Sequence, residues 1–230
     1  VSDNKIIRVA IDGPAAAGKS TVAKLIAEEL NYVYIDTGAM YRALTLKVLK
    51  ENINVDDERS ITNLLKETEI ELKASQEGQF VLLDTNDVTK EIRNTEVSQY
   101  VSYIAQLAEV RKILVGRQQL LAENNSVVMD GRDIGTTVLP NAEVKVFLLA
   151  SVDERAQRRH DENLKNGFKS NLDALKKEIS ERDYRDETRK ESPLVKSEDA
   201  ISIDTTSLTI KEVVQEIIQL VRNYKEKQDN

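Results

Sequence analysis

The chain has 230 residues, of which 40% are hydrophobic and 32% charged, with a formal net charge of −7. It holds no cysteine and one histidine, His160, which excludes disulfides, thiolate nucleophiles and cysteine-ligated metals. The negative balance argues against a general nucleic-acid binder, which carries a basic face, and no apolar stretch reaches the length of a membrane span. A cytoplasmic globular domain with an inserted unit is expected.

Ile6, Ile7, Val9, Ala10 and Ile11 form a short apolar run of buried-strand type. Residues 13–20 then read Gly-Pro-Ala-Ala-Ala-Gly-Lys-Ser, followed by Thr21. This is the full G-x-x-x-x-G-K-[ST] loop, whose backbone N–H groups cradle a triphosphate. In it Lys19 reaches the β- and γ-phosphates and the Ser20 hydroxyl holds Mg²⁺. Val22, Ala23, Leu25, Ile26, Ala27 and Leu30 recur at helical spacing after it. Strand, loop and helix together are the context in which this motif binds phosphate.

Tyr32–Asp36 reads as a second strand, and Thr37-Gly38 turn into a helix over 39–50. Glu69–Ala74 alternates polar and apolar residues, and Phe80–Leu83 follows a Gln76-Glu77-Gly78 turn. Residues 69–84 are therefore expected to form a hairpin. Residues 95–124 are mostly helical, Ser126–Asp130 is a strand ending in an acid, and Glu143–Ala150 is a buried strand. Residues 153–190 are highly charged and helical, with a break expected at Gly167. Ala200–Asp204 is a last strand before a C-terminal helix carrying Val213, Val214, Ile217, Ile218 and Val221. His160, in Arg-Arg-His-Asp, reads as a solvated surface group. Five core strands alternating with helices predict an α/β fold with a doubly wound parallel sheet and helices on both faces.

A GTPase requires Asn-Lys-x-Asp, an ABC-type ATPase Leu-Ser-Gly-Gly-Gln, and a dinucleotide-binding loop G-x-G-x-x-G; the chain has none of these. A small-molecule kinase or a nucleotide-binding module without transfer activity remains. Three further segments narrow the choice. They are Asp36-Thr37-Gly38-Ala39-Met40-Tyr41-Arg42, Asp130-Gly131-Arg132-Asp133-Ile134-Gly135-Thr136, and Glu181 to Arg189 followed by Ser192-Pro193-Leu194. With Asp12-Gly13-Pro14 before the loop, they resemble the bacterial cytidylate kinase family over about residues 6–222.

That resemblance implies transfer of the γ-phosphoryl group of ATP to CMP or dCMP with Mg²⁺, in a monomer that binds neither nucleic acid nor membrane. It implies a core of residues 1–52 and 95–230, a monophosphate-binding insertion at 53–94 and a short lid near 155–170. Gly13, Pro14, Ala15, Ala16, Ala17, Gly18, Lys19, Ser20 and Thr21 would cradle ATP, helped by the lid residues Arg155 and Arg159. Ser20 would hold Mg²⁺, with Asp36 and Asp130 as candidates for contacts through water. Thr37, where the family usually has Ser, and Arg42 would hold the CMP phosphate beside Arg132. Ser102, Arg111, Arg132 and Asp133 match positions that read the base. Arg182 and Asp186 match positions around the sugar. Arg189 joins the acceptor contacts and, with Lys19, Arg132, Asp133 and Arg182, the catalytic set. Met40 and Tyr41 read as packing residues. A kinase of the same fold acting on another acceptor, such as UMP, is the alternative.

Overall fold

The computed structural model describes residues 5–75, 78–165, 167 and 169–229. Strand β1 (Arg8–Asp12) runs through the phosphate-loop sequence into α1 (Lys19–Leu30), and β2 (Val33–Asp36) runs into α2 (Thr37–Lys50). Next come α3 (Glu58–Lys66) and the strands β3 (Ile70–Ser75), β4 (Gly78–Leu83) and β5 (Asn86–Asp87). Then follow α4 (Thr95–Ile104), α5 (Ala108–Ala122), β6 (Val127–Gly131), β7 (Val144–Leu149), α6 (Val152–Lys165), α7 (Leu172–Thr188), β8 (Ile201–Asp204) and α8 (Ile210–Asp229). A π-helical turn spans Ile134–Val138.

Five strands make one parallel sheet in the order β2-β6-β1-β7-β8. Alternate residues of each strand feed opposite faces. Val9, Ile11, Val128, Val146 and Ile203 pack with α1 and α8. Ala10, Ile35, Val127 and Met129 face the other way, against Ala122 and the π turn. The inner strands β1, β6 and β7 are covered on both faces, which is why they read as near-continuous apolar runs, while the edge strands β2 and β8 stay partly exposed. The register sets Asp36 beside Asp130 and Asp12 beside Gly131, so three carboxylates gather at the C-terminal edge where ligands of open α/β sheets bind.

The smaller sheet is antiparallel, β3-β4-β5. Its Val81 and Leu83 pack on Ala39, Ala43 and Leu46 of α2. The expected hairpin is present; its turn residues Gln76 and Glu77 lie outside the described residues, and Gly78 already belongs to β4. Helix α3 stands where the sequence pattern named no element, its Ile61 and Leu65 buried with α2, α4 and α5. Helix α2 starts two residues earlier than expected, because the Asp36 carboxylate caps it by accepting from the Ala39 N–H at 2.9 Å. The break at Gly167 falls between α6 and α7. His160 is not a free surface group: it is partly buried, and its Nδ1 lies 2.9 Å from the Ser170 hydroxyl.

Candidate active site

The phosphate loop needs backbone shapes that side chains resist. Gly13 has φ +147°, and a Cβ there would run into the Leu148 carbonyl of β7. Gly18, at φ +86°, is the left-handed N-cap of α1. Ala16 is also left-handed, at φ +59°, a conformation that costs a non-glycine residue about 1–2 kcal/mol. Its neighbour Ala15 is gripped from both sides. Arg155 Nη1 donates to the Ala15 carbonyl at 2.9 Å, and the Ala15 N–H donates to Asp183 Oδ1 at 3.4 Å. Arg155 and Asp183 are themselves paired at 2.6 Å, and both are buried. Helices α6 and α7 thus hold the loop through one ion pair.

Lys19 is buried and donates from Nζ to the Pro14 carbonyl at 2.6 Å. Burial, with Arg132 and Arg182 nearby, pushes its pKa well below the usual lysine range against the opposing pull of Asp130 and Asp12. An arriving polyanion would relieve that crowding of positive charge. The Ser20 hydroxyl donates to Asp130 Oδ2 at 2.9 Å, and the Tyr34 hydroxyl donates to Asp130 Oδ1 at 2.8 Å. Burial and the Asp36 charge raise the Asp130 pKa. A hydroxyl beside carboxylate oxygens is a hard-donor set that fits Mg²⁺, which is usually held by few protein groups together with substrate phosphates. Among the described residues, no group of three or more His, Cys, Asp or Glu side chains is arranged to hold a metal alone. Asp36 faces Arg93 at 3.4 Å. Asp12 accepts from the Ile134 and Gly135 N–H groups, both at 2.7 Å, and so anchors the π turn to β1.

Beside the phosphate loop, arginines converge on two buried acids. Arg132 Nε donates to Asp186 at 2.9 Å, and Arg182 lies 4.0 Å from the same carboxylate. Burial would raise the Asp186 pKa, but Arg132, Arg182 and Arg189 outweigh it and hold the carboxyl below its usual range. Arg182 and Asp186 are therefore no surface helix pair. Asp133 takes a close ion pair from Arg111 and faces Arg189 at 3.5 Å. Arg111 also donates to the Ala105 carbonyl at 3.0 Å, and Arg189 to the Ser192 carbonyl at 2.7 Å. Burial first, then Arg182, lowers the Arg42 pKa to about 9. Several donors here remain unsatisfied: Arg111 Nε, Arg182 Nε, Arg189 Nη2 and the Tyr41 hydroxyl are buried without hydrogen-bond partners. Orphaned buried donors of this kind fit a site built for an acceptor-rich ligand.

Most of the expected site residues meet here. The Thr37 hydroxyl donates to the Asp130 carbonyl at 2.7 Å, and Ser102 is buried on α4. Arg159 is separate: it is half-buried and pairs with Glu162 at 3.4 Å. Met40 and Tyr41 do pack in the core, although the Tyr41 hydroxyl lacks a partner. Asp12, Tyr34, Arg93, Ser98, Asp183 and Arg185 join the network without having been assigned a role from sequence. Asp12, Asp183 and Arg185 left a signal, since each lies in a segment that carries the family resemblance, whereas Tyr34, Arg93 and Ser98 left none.

Comparison with known proteins gives one answer. The cytidylate kinase family model matches residues 9–223. A cytidylate kinase of Geobacillus sp. (strain WCH70) is 60% identical over 215 residues, spanning 94% of this chain and 96% of that protein. The cytidylate kinase of Bacillus subtilis (strain 168) is 57% identical over 217 residues, spanning 94% and 97%. Among solved structures, a gluconokinase from Sinorhizobium meliloti 1021 superposes with a TM-score of 0.51 at 16% identity, covering 96% of this chain and 95% of that one. That last likeness is one of fold.

Proposed function

The chain belongs to the cytidylate kinase family, and on that premise we propose that it moves the γ-phosphoryl group of ATP onto CMP or dCMP, releasing ADP and CDP or dCDP. The observation that carries this reading is the set of unsatisfied arginine donors around Asp133 and Asp186, with Arg132 and Arg182 close enough to Lys19 of the phosphate loop to act on its charge. Such chemistry needs two polyanions held in line and their charge neutralised, with little covalent work for the protein.

Residues 13–21 take the triphosphate of ATP on their backbone N–H groups, and Lys19 leaves the Pro14 carbonyl to meet the migrating phosphoryl group. Mg²⁺, when bound, supplies charge neutralisation on the triphosphate oxygens. Ser20 would hold it, with Asp130 and Asp36 reached through water. Thr37, Arg42 and Arg132 grip the acceptor phosphate; a guanidinium offers two parallel N–H donors to it. Arg182, Asp186 and Arg189 line the sugar side. Asp133 accepts from the cytosine N4 amine, while Arg111 and Ser102 face the ring acceptors. Uracil presents the opposite pattern at two of these atoms, which disfavours UMP.

Residues 53–94 serve as the acceptor-binding insertion by bracing α2, α4 and α5, which carry Arg42, Ser102 and Arg111. The segment 155–170, with Arg155 and Arg159, is assigned as a lid that shields the donor from water; its Asn166 and Phe168 lie outside the described residues. On this reading the chain acts as a cytoplasmic monomer with no nucleic-acid partner, as the family resemblance implies. Among the described residues no helix is long and apolar enough to cross a membrane. ADP release measured across CMP, dCMP, UMP, AMP and GMP tests the reading. The cytidine nucleotides should dominate, and a preference for UMP or AMP would defeat it.

A further inference from the structure

Arg182, Arg185, Asp186 and Arg189 occupy positions i, i+3, i+4 and i+7 of one α7 stripe, the last at its C-cap. Arg182, Asp186 and Arg189 belong to the acceptor network described above. Arg185 points elsewhere: its Nε donates to the Ser102 hydroxyl of α4 at 3.0 Å, and its guanidinium lies 5.0 Å from the centre of the Tyr103 ring. Ser102 is itself buried. One turn earlier on α4, the Ser98 hydroxyl accepts from Arg42 Nη1 at 3.1 Å. Helix α4 therefore offers two hydroxyls four residues apart, one taking an arginine from α2 and the other from α7.

Resting on the reading of Ser102 as a base contact, we propose that Arg185 is a positioning residue for acceptor recognition, acting through Ser102 rather than on the substrate. A serine hydroxyl has one donor hydrogen and two acceptor lone pairs. Arginine only donates, so Arg185 consumes a lone pair of Ser102 and leaves the hydroxyl hydrogen free for a ring acceptor. The Tyr103 ring fixes the guanidinium plane through its negative face, so the Ser102 rotamer is set before the base arrives. The same bond ties α4 to α7. Arg185 thereby couples base reading by Ser102 to the sugar and phosphate contacts of Arg182, Asp186 and Arg189.

The test is a double-mutant cycle on the full chain with Arg185→Ala, Ser102→Ala and the pair, reading kcat and KM for CMP, UMP and ATP. Arg185→Ala should raise the KM for CMP roughly tenfold, the size of a lost charge-assisted hydrogen bond, with little change in the KM for ATP. It should also narrow the CMP-to-UMP preference. In the Ser102→Ala background the same change should have almost no further effect. Arg185→Lys, which keeps the cation over Tyr103, should recover part of the loss and guards against a folding defect in the alanine variant. Independent effects of the two substitutions, or equal damage to ATP and CMP kinetics, would overturn the proposal. Absence of CDP formation by the unmodified chain would instead defeat the kinase reading on which it rests.

Discussion

At the scale of single residues, the site is decided by which buried charge faces which. Lys19 sits among Arg132 and Arg182 with one carbonyl for a partner, so its stabilisation comes chiefly when a triphosphate arrives. Lys19→Ala should lower kcat by about 10³-fold or more, since groups that neutralise the migrating phosphoryl charge are worth that much. CMP binding measured by calorimetry should survive the change. Retained turnover would remove Lys19 from the donor side. Asp133 faces Arg111 and Arg189 and is the one acid of the pair assigned to the base. Asp133→Asn exchanges an acceptor for a mixed donor and acceptor, so kcat/KM should fall for CMP by more than for UMP. An equal loss for both would make Asp133 a structural counter-ion of the two arginines.

At the scale of elements, α6 and α7 grip the phosphate loop through Arg155, Asp183 and the Ala15 peptide. Both side chains are buried, so removing one leaves the other's charge without compensation. Asp183→Ala should cost about 3–5 kcal/mol in urea unfolding, the usual penalty for breaking a buried ion pair. It should also raise the KM for ATP, because Ala16 loses the support that holds it in a left-handed conformation. A normal KM for ATP in a destabilised variant would separate the pair's structural role from any role in shaping the loop. The acceptor wall behaves differently. Ser98, Ser102 and Arg111 ride on α4 and α5, which share one apolar cluster with α2 and α3, so the acceptor groups are placed by packing rather than by a clamp.

At the scale of the whole molecule, the parallel sheet concentrates acids at one edge, and their burial makes stability depend on pH. Asp12 is pushed up to about 6, first by burial and against the two backbone N–H groups it accepts from. Between its ordinary value and 6 the folded chain holds a proton at Asp12 that the unfolded chain has lost, so this contribution falls as pH rises through that window. Fully expressed above pH 6 it amounts to a penalty of about 3 kcal/mol. Urea midpoints of the chain without nucleotide should therefore gain less from raising pH between 5 and 7 than those of Asp12→Asn, which lacks the titrating group. Asp186 and Glu143 work with the opposite sign. Their partners hold them below the usual range, so they lose stability only at more acid pH.

Much of this was legible in the sequence, and for physical reasons. A phosphate loop is a local object, eight consecutive residues whose backbone makes the site, so Gly13–Ser20 named the donor side without help. The inner strands β1, β6 and β7 are buried on both faces and read as apolar runs, which located the middle of the sheet. The Asp36, Asp130 and Glu181–Arg189 segments gave the acceptor side through family resemblance, because each motif stays contiguous even where its partner is distant. The capping of α2 by Asp36 and the start of α3 at its Asp57 cap are local signals that the apolar pattern alone passed over, whereas the contact of His160 with Ser170 depends on how the chain turns after α6. The grips of Asp183 on Ala15 and of Arg185 on Ser102 depend on neighbours brought by packing, and join residues 168 and 83 positions apart. The sequence alone determined which chemical groups the chain carries and which local segments present them. Only the tertiary structure decided which arginine meets which acid or hydroxyl, because pairing across a cleft is set by how helices pack on the sheet, and that leaves no periodicity in the chain.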